Sequence, residues 1–124
     1  MEAKLLAIDD LEGIIHILKR NYEPKGIKVL GTLDLDEALK IFKKENPQIV
    51  VIETYIFGTS AEFLKEIKQL NSKVVRIIYT TIHPPGYEEH CFEDNLCEYY
   101  FHKPLSDEEG KRMEEVIINE SYKA

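Results

Sequence analysis

The chain has 124 residues, 44% hydrophobic and 31% charged, with 23 acidic against 16 basic side chains and a formal net charge of −7. That length supports one domain whose core needs no metal or disulfide staple. The acidic balance, with no run of Lys or Arg longer than a pair, argues against a nucleic-acid backbone as partner. Two cysteines are too few for a disulfide scaffold, and no apolar stretch reaches membrane-spanning length or resembles a signal segment. The expectation is a single cytoplasmic domain over residues 1–124, with no membrane contact.

Lys4-Leu5-Leu6-Ala7-Ile8 predicts a first strand that runs into Asp9-Asp10. Leu11, Ile14, Ile15 and Leu18 then recur at helical spacing, and Tyr22-Glu23-Pro24-Lys25-Gly26 breaks that helix. Ile27 to Leu30 is a short second strand. Asp34 caps the next helix, with Glu37 three residues on to complete a capping box. Leu35, Ala38, Leu39 and Phe42 form its buried stripe, and Asn46-Pro47 ends it. The third strand, Ile49 to Ile52, runs into Glu53; a helix carrying Phe63, Leu64, Ile67 and Leu70 follows Gly58-Thr59-Ser60. The fourth strand is expected over Val74 to Tyr79, ending in Thr80-Thr81. After Pro84-Pro85-Gly86 only a short helix fits, between Tyr87 and Asp94, with Asn95 placed to end it in a left-handed conformation. Tyr99 to Phe101 is the fifth strand, running through His102 into Lys103-Pro104. Ser106 and Glu109 form a second capping box before a last helix with Met113, Val116 and Ile117 inside.

Five short, nearly all-apolar strands alternating with five helices predict an α/β fold: a parallel sheet covered by helices on both faces. In such a sheet, ligands sit outside the carboxyl ends of the strands. Those ends carry Asp9, Asp10, Glu53, Thr80 and Lys103, so three carboxylates, a hydroxyl and an ammonium are expected around one crevice.

In order and spacing, Lys4 to Asp10, Asp36-Glu37-Ala38-Leu39, Pro47 to Glu53, Thr80, Tyr100 and Lys103-Pro104 resemble the receiver domain of response regulators, of the chemotaxis-regulator type, over essentially the whole chain. The resemblance implies a flavodoxin-like (βα)5 fold with strand order 2-1-3-4-5. It further implies a two-component signalling module rather than an enzyme, and a sensor histidine kinase or a downstream signalling protein as partner. Carried over by position, Asp9, Asp10, Glu53 and the backbone carbonyl of Tyr55 would hold Mg2+. Glu53 takes the phosphoacceptor position, Lys103 contacts the phosphoryl oxygens across a cis bond to Pro104, and Thr80 and Tyr100 form the switch pair. The chemistry suits these types, since magnesium prefers hard oxygen ligands and phosphoryl transfer is mostly positioning and charge neutralisation.

The pattern breaks at residue 53, where the family has an aspartate. Glutamate adds about 1.5 Å of reach, which pushes an acyl phosphate toward Lys103 and Thr80 and out of line for transfer. A carboxylate with that reach also sets negative charge partway to where a phosphoryl group would sit, although with one charge where phosphate has roughly two. The expectation is a receiver that is phosphorylation-independent or partly active, working through the face formed by its fourth helix, fifth strand and fifth helix. The alternatives are a magnesium-dependent phosphorylatable regulator, and the receiver part of a transcriptional regulator whose DNA-binding domain comes from elsewhere. Ile56-Phe57 replace the family's methionine-proline, Ala61 stands where a glycine is common, and Asn95-Leu96-Cys97 replaces a Gly-Ala turn.

Plainer readings stand beside these. The acidic cluster is either a magnesium site or an ion-paired group neutralised by Lys103. Thr80 either caps its strand or switches, and Tyr100 is either a strand aromatic or the second switch residue. His83, His90, Cys91, Cys97 and His102 match no zinc spacing and are expected to be surface histidines and buried cysteines. Tyr87, Phe92 and Tyr99 are candidates for an exposed docking patch, and the protein is expected to be a monomer or weak homodimer. A flavodoxin would need a Ser/Thr-rich loop after the first strand, and a haloacid-dehalogenase-type phosphatase an Asp-x-Asp motif; Asp9-Asp10-Leu11 supplies neither.

Overall fold

The computed structural model describes residues 2–54 and 60–123. The elements are β1 (Ala3–Ile8), α1 (Glu12–Tyr22), a 3₁₀ turn (Glu23–Lys25), β2 (Ile27–Thr32), α2 (Leu35–Glu45), β3 (Ile49–Ile52), α3 (Ser60–Leu70), β4 (Val75–Thr80), α4 (Tyr87–Glu93), β5 (Tyr99–His102) and α5 (Asp107–Tyr122). All strand pairs are parallel, in the order β2-β1-β3-β4-β5. The alternation predicted the parallel sheet with helices on both faces, and the strand order is the flavodoxin-like one that the resemblance implied. Among the described residues, no helix is long and apolar enough to cross a membrane.

The period-2 alternation of the strands divides the interior into two cores. Leu5, Ala7, Ile49, Val51, Ile77 and Phe101 face α1 and α5 with Ile15, Leu18, Met113 and Ile117. Leu6, Ile8, Val50, Ile52, Ile78 and Tyr100 face the other way, with Ala38, Phe42, Leu64, Ile67 and Cys91. Both faces of the sheet are buried, which is why the strands are apolar throughout.

Several boundaries differ from the sequence reading for local reasons. β2 continues to Thr32 because it pairs with β1 over its whole length, and Gly31 lies so close to α1 that a Cβ there would run into Ile15. β4 starts one residue late because the Val74 amide closes a turn onto the Asn71 carbonyl; Thr80 is thus the last strand residue. The first capping box is only half made: Asp34 accepts from the amides of Asp36 and Glu37, while the Asp34 amide donates to Thr32 Oγ1 rather than to Glu37. The second is half made too, with Ser106 Oγ accepting from the Glu109 amide while the Glu109 carboxylate turns back to His102. Asn46 and Asn95 both take positive φ at helix ends, as read for Asn95.

Away from the carboxyl ends of the strands, β4 buries a charged residue. The Arg76 side chain is 0% exposed, at the second position of β4. Its guanidinium donates to the carbonyls of Leu64 and Asn95, to Asn95 Oδ1, and to both carboxylate oxygens of Glu98 at 3.2 and 2.7 Å. It therefore ties the middle of α3 and the α4–β5 turn, Asn95-Leu96-Cys97, to the sheet. Burial alone would push the Glu98 carboxyl up, but the hydrogen bonds and charge of Arg76 hold it below the ordinary carboxylate range. Arg76→Met keeps the volume but strands these acceptors. It is expected to cost about 3 kcal/mol, at the low end for a broken buried pair because Glu98 reaches solvent; urea unfolding of the two proteins measures it.

Candidate functional site

Strand register assembles the crevice. Ile8 pairs with Ile52, and Ile52 with Ile78, so the residues that follow these strands emerge side by side at one edge of the sheet. The ladder runs one step further: the Glu53 amide donates to the Ile8 carbonyl at 3.0 Å and the Lys103 amide to the Thr80 carbonyl at 2.9 Å. The Lys103–Pro104 bond is cis.

At this edge the Lys103 side chain is 6% exposed, and its Nζ lies 2.5 Å from Asp9 Oδ2 and 3.6 Å from Glu53 Oε1. Asp9 and Glu53 are each 3% exposed. The other oxygen of Asp9 accepts from the Leu11 amide at 3.0 Å, which orders the turn into α1. The ammonium also lies 4.8 Å from the centre of the Tyr79 ring, a cation–π distance. Glu53 Oε1 accepts from the Thr81 amide at 3.3 Å, so its carboxylate bridges from the end of β3 to the end of β4. Asp10 is exposed at the rim, and its carboxyl is pushed up by desolvation, then by Asp9 and by the charge of Glu53.

Oxygen donors of this kind suit a hard cation. Their arrangement does not: among the described residues, Asp9, Asp10 and Glu53 do not converge into a three-carboxylate group able to hold a metal, and Lys103 occupies the second oxygen of Asp9. The expected fourth ligand, the Tyr55 carbonyl, lies outside the described residues, as do Ile56 and Phe57.

Thr80 and Tyr100, the expected switch pair, lie on neighbouring strands. Thr80 is fully buried, and its hydroxyl accepts from the Ile82 amide at 3.2 Å. Tyr100 is 7% exposed, so it is buried rather than turned to solvent, and its hydroxyl is 2.9 Å from His83 Nδ1. Burial pushes its phenol well above the ordinary range. Tyr87 packs edge-on against Tyr100 with ring centroids 6.3 Å apart, and its own hydroxyl is 2.6 Å from Thr54 Oγ1.

The chain shares its fold with a group of known proteins. No protein-family model matches it. It is 26% identical over 122 residues, 98% of its length, to the alkaline phosphatase synthesis transcriptional regulatory protein PhoP of Bacillus subtilis. It is 31% identical over 81 residues, 64% of its length, to sporulation initiation phosphotransferase F of the same organism. The solved receiver domain of a response regulator from Clostridium thermocellum matches with a TM-score of 0.79 and 24% identity, over 98% of this chain and 95% of that one. The chain has the fold of a response-regulator receiver domain. A receiver domain from Pseudomonas fluorescens matches with a TM-score of 0.83 at 17% identity, both chains being covered completely. The chain spans half the length of PhoP and 65% of the phosphotransferase.

Several residues around this crevice were not readable as such. Tyr87 is not part of an open docking patch, because it is half-buried and held by Thr54; Phe92 is 45% exposed and Tyr99 is half-buried. His83 and His102 are not incidental, since each makes specific side-chain contacts around Tyr100. Cys91 and Cys97 are buried as expected, and burial pushes both thiols up, that of Cys97 to about 12. The only early signal for the histidines was a His immediately before Lys103 with an acid in the first turn of the following helix.

Lys103 is the buried countercharge of the crevice, so Lys103→Met sets two buried carboxylates beside each other without it. The expected loss is about 3–5 kcal/mol of stability at neutral pH, measured by urea unfolding without divalent cations, with Lys103→Arg recovering part of it.

Proposed function

We propose that this receiver signals through protein–protein contact without needing covalent phosphorylation, with the Glu53 carboxylate standing partway to the place of a phosphoryl group. The observation that carries this reading is the contact of Glu53 Oε1 with the Thr81 amide, together with its approach to Lys103. The extra methylene lets the carboxylate join the ends of β3, β4 and β5, which is the work a phosphoryl group on a shorter side chain would do. The buried position of Tyr100 agrees with that state. Lys103 acts as the point charge for this fixed anion, and Thr80 with Tyr100 relays the state toward α4, β5 and α5, the face proposed to meet a sensor kinase or a downstream protein. One carboxylate charge against roughly two on phosphate makes the activation partial.

A second reading, that the domain is the input part of a transcriptional regulator, is favoured by the match to PhoP, of which the chain spans half. The two are compatible, because a fixed carboxylate would bias an attached output domain as it would a separate partner.

Incubation with a small phosphodonor and magnesium, followed by intact-mass measurement, is expected to leave the native protein unmodified. Glu53→Asp is expected to gain one phosphoryl mass. A stable magnesium-dependent adduct on Glu53 itself would defeat the reading.

We further infer that magnesium binds weakly through Asp9, Asp10, Glu53 and the Tyr55 carbonyl, because the ion must first displace the Lys103 ammonium from Asp9. In a magnesium titration, the amide shifts at the ends of β1 and β3 are expected to stay unsaturated at millimolar concentrations. Lys103→Met is expected to tighten the binding; full saturation of the native protein at low micromolar magnesium would contradict this.

A further inference from the structure

His102, the last residue of β5, is placed between two acids on two different helices. Its Nδ1 lies 2.7 Å from Glu109 Oε2 in the first turn of α5, and its Nε2 lies 2.8 Å from Glu88 Oε1 in the first turn of α4. The same Glu109 oxygen accepts from the His102 backbone amide at 3.2 Å, which fixes the carboxylate against the strand. An ionised carboxylate can only accept, and a neutral imidazole carries one N–H. With a neutral ring, one of the two contacts would set a nitrogen lone pair against a carboxylate oxygen. Both contacts are satisfied together only by the imidazolium.

The other groups facing the ring extend the arrangement toward the switch. His83, in the β4–α4 connection, meets it edge-on with centroids 4.5 Å apart, and the Tyr100 ring lies 5.3 Å away. His83 in turn bonds the Tyr100 hydroxyl. The ring thus touches α4, α5, the connection leading into α4, and the aromatic switch residue of its own strand. β5 is the edge strand of the sheet, paired only with β4, so side-chain contacts at its end meet no competing ladder on the outer side.

We propose that His102 is a proton-gated clasp that braces α4 and α5 across the end of β5 when charged and releases them when neutral. It makes the α4–β5–α5 face responsive to pH. The clasp does not depend on whether residue 53 accepts a phosphoryl group, and its test reads His102 and α4 rather than Glu53.

The hydrogen bond to Glu109, and then that to Glu88, outweigh desolvation and push the His102 imidazole above its ordinary value of 6.5. A raised folded value means that the bracing is fully present below the unfolded value and is lost as pH rises through the folded one. The opposite shift of Glu109, which desolvation would raise but His102 holds below the ordinary carboxylate range, is the other side of the same contact.

Imidazole nitrogen NMR of the full chain tests the clasp, with His102 assigned from His102→Gln. In the native protein His102 is expected to carry protons on both nitrogens at neutral pH and to titrate above a free histidine. Glu109→Gln and Glu88→Gln each keep an oxygen acceptor and the side-chain length, and each is expected to lower that midpoint. Amide exchange over Tyr87–Glu93, corrected for intrinsic rates, is expected to quicken roughly two- to fivefold as the native protein passes through the midpoint, the range set by an exposed ion pair. It is expected to stay flat in His102→Gln. A His102 midpoint at the free-histidine value that neither Gln variant moves would overturn the clasp, as would α4 exchange that ignores the midpoint.

Discussion

The buried ammonium of Lys103 is the contact on which the crevice depends. It approaches carboxylates from β1 and β3 while hanging from the end of β5, so one side chain links three strands at their carboxyl ends. Burying two acids at 3% exposure is costly unless a positive group lies within reach, and here that group is covalently part of the fold. With Asp9, Glu53 and Lys103 together, the buried charge is reduced to a single excess negative. Asp10 stays at the solvent edge, where desolvation and its neighbours push its carboxyl up. The charge of the crevice is thus largely balanced from within the fold.

Arg76 plays a corresponding part at the opposite end of β4 from the crevice. Its five side-chain hydrogen bonds gather α3, Asn95 and Glu98 around the start of β4. They hold the longer turn that leads into β5, and so the strand that carries Tyr100, His102 and Lys103. The turn and the arginine explain each other: left-handed Asn95 presents both its carbonyl and its side-chain oxygen to one guanidinium. The planar fork of an arginine meets that geometry, whereas a lysine would not.

Much of this was legible before any coordinates. Apolar runs of four to six residues gave the strands, because a strand covered on both faces has no polar side to confuse the pattern. The strand-end residues Asp9, Glu53, Thr80 and Lys103 were legible because parallel register necessarily brings strand ends together. What escaped were partnerships between residues distant in the chain. A His at the end of a strand and acids in two helices read separately as surface residues, and only the fold brings Glu88, His102 and Glu109 into line. Arg76 escaped for the opposite reason, since a charged residue inside an apolar run is ordinarily taken as facing solvent. The capping boxes show a smaller version of the same limit: Glu37 and Glu109 sit at the right spacing, yet the Asp34 amide already bonds Thr32, and His102 competes successfully for the Glu109 carboxylate.

The two sets of charge contacts at the end of β5 act on the same short segment from opposite sides. Lys103 is drawn toward the crevice by Asp9, while His102, one residue earlier, is held by the helices of the outer face. Between them the strand has only its ladder with β4, and Tyr100 fills the core beneath with its hydroxyl on His83. A change at either anchor must therefore be taken up by Tyr100 and its packing against Tyr87, since a close-packed interior does not deform continuously. A fixed carboxylate at residue 53 removes one source of variation from this segment. With the clasp proposed for His102, the anchor on the outer face is then the one whose contacts change with protonation, while the crevice contact of Lys103 stays fixed.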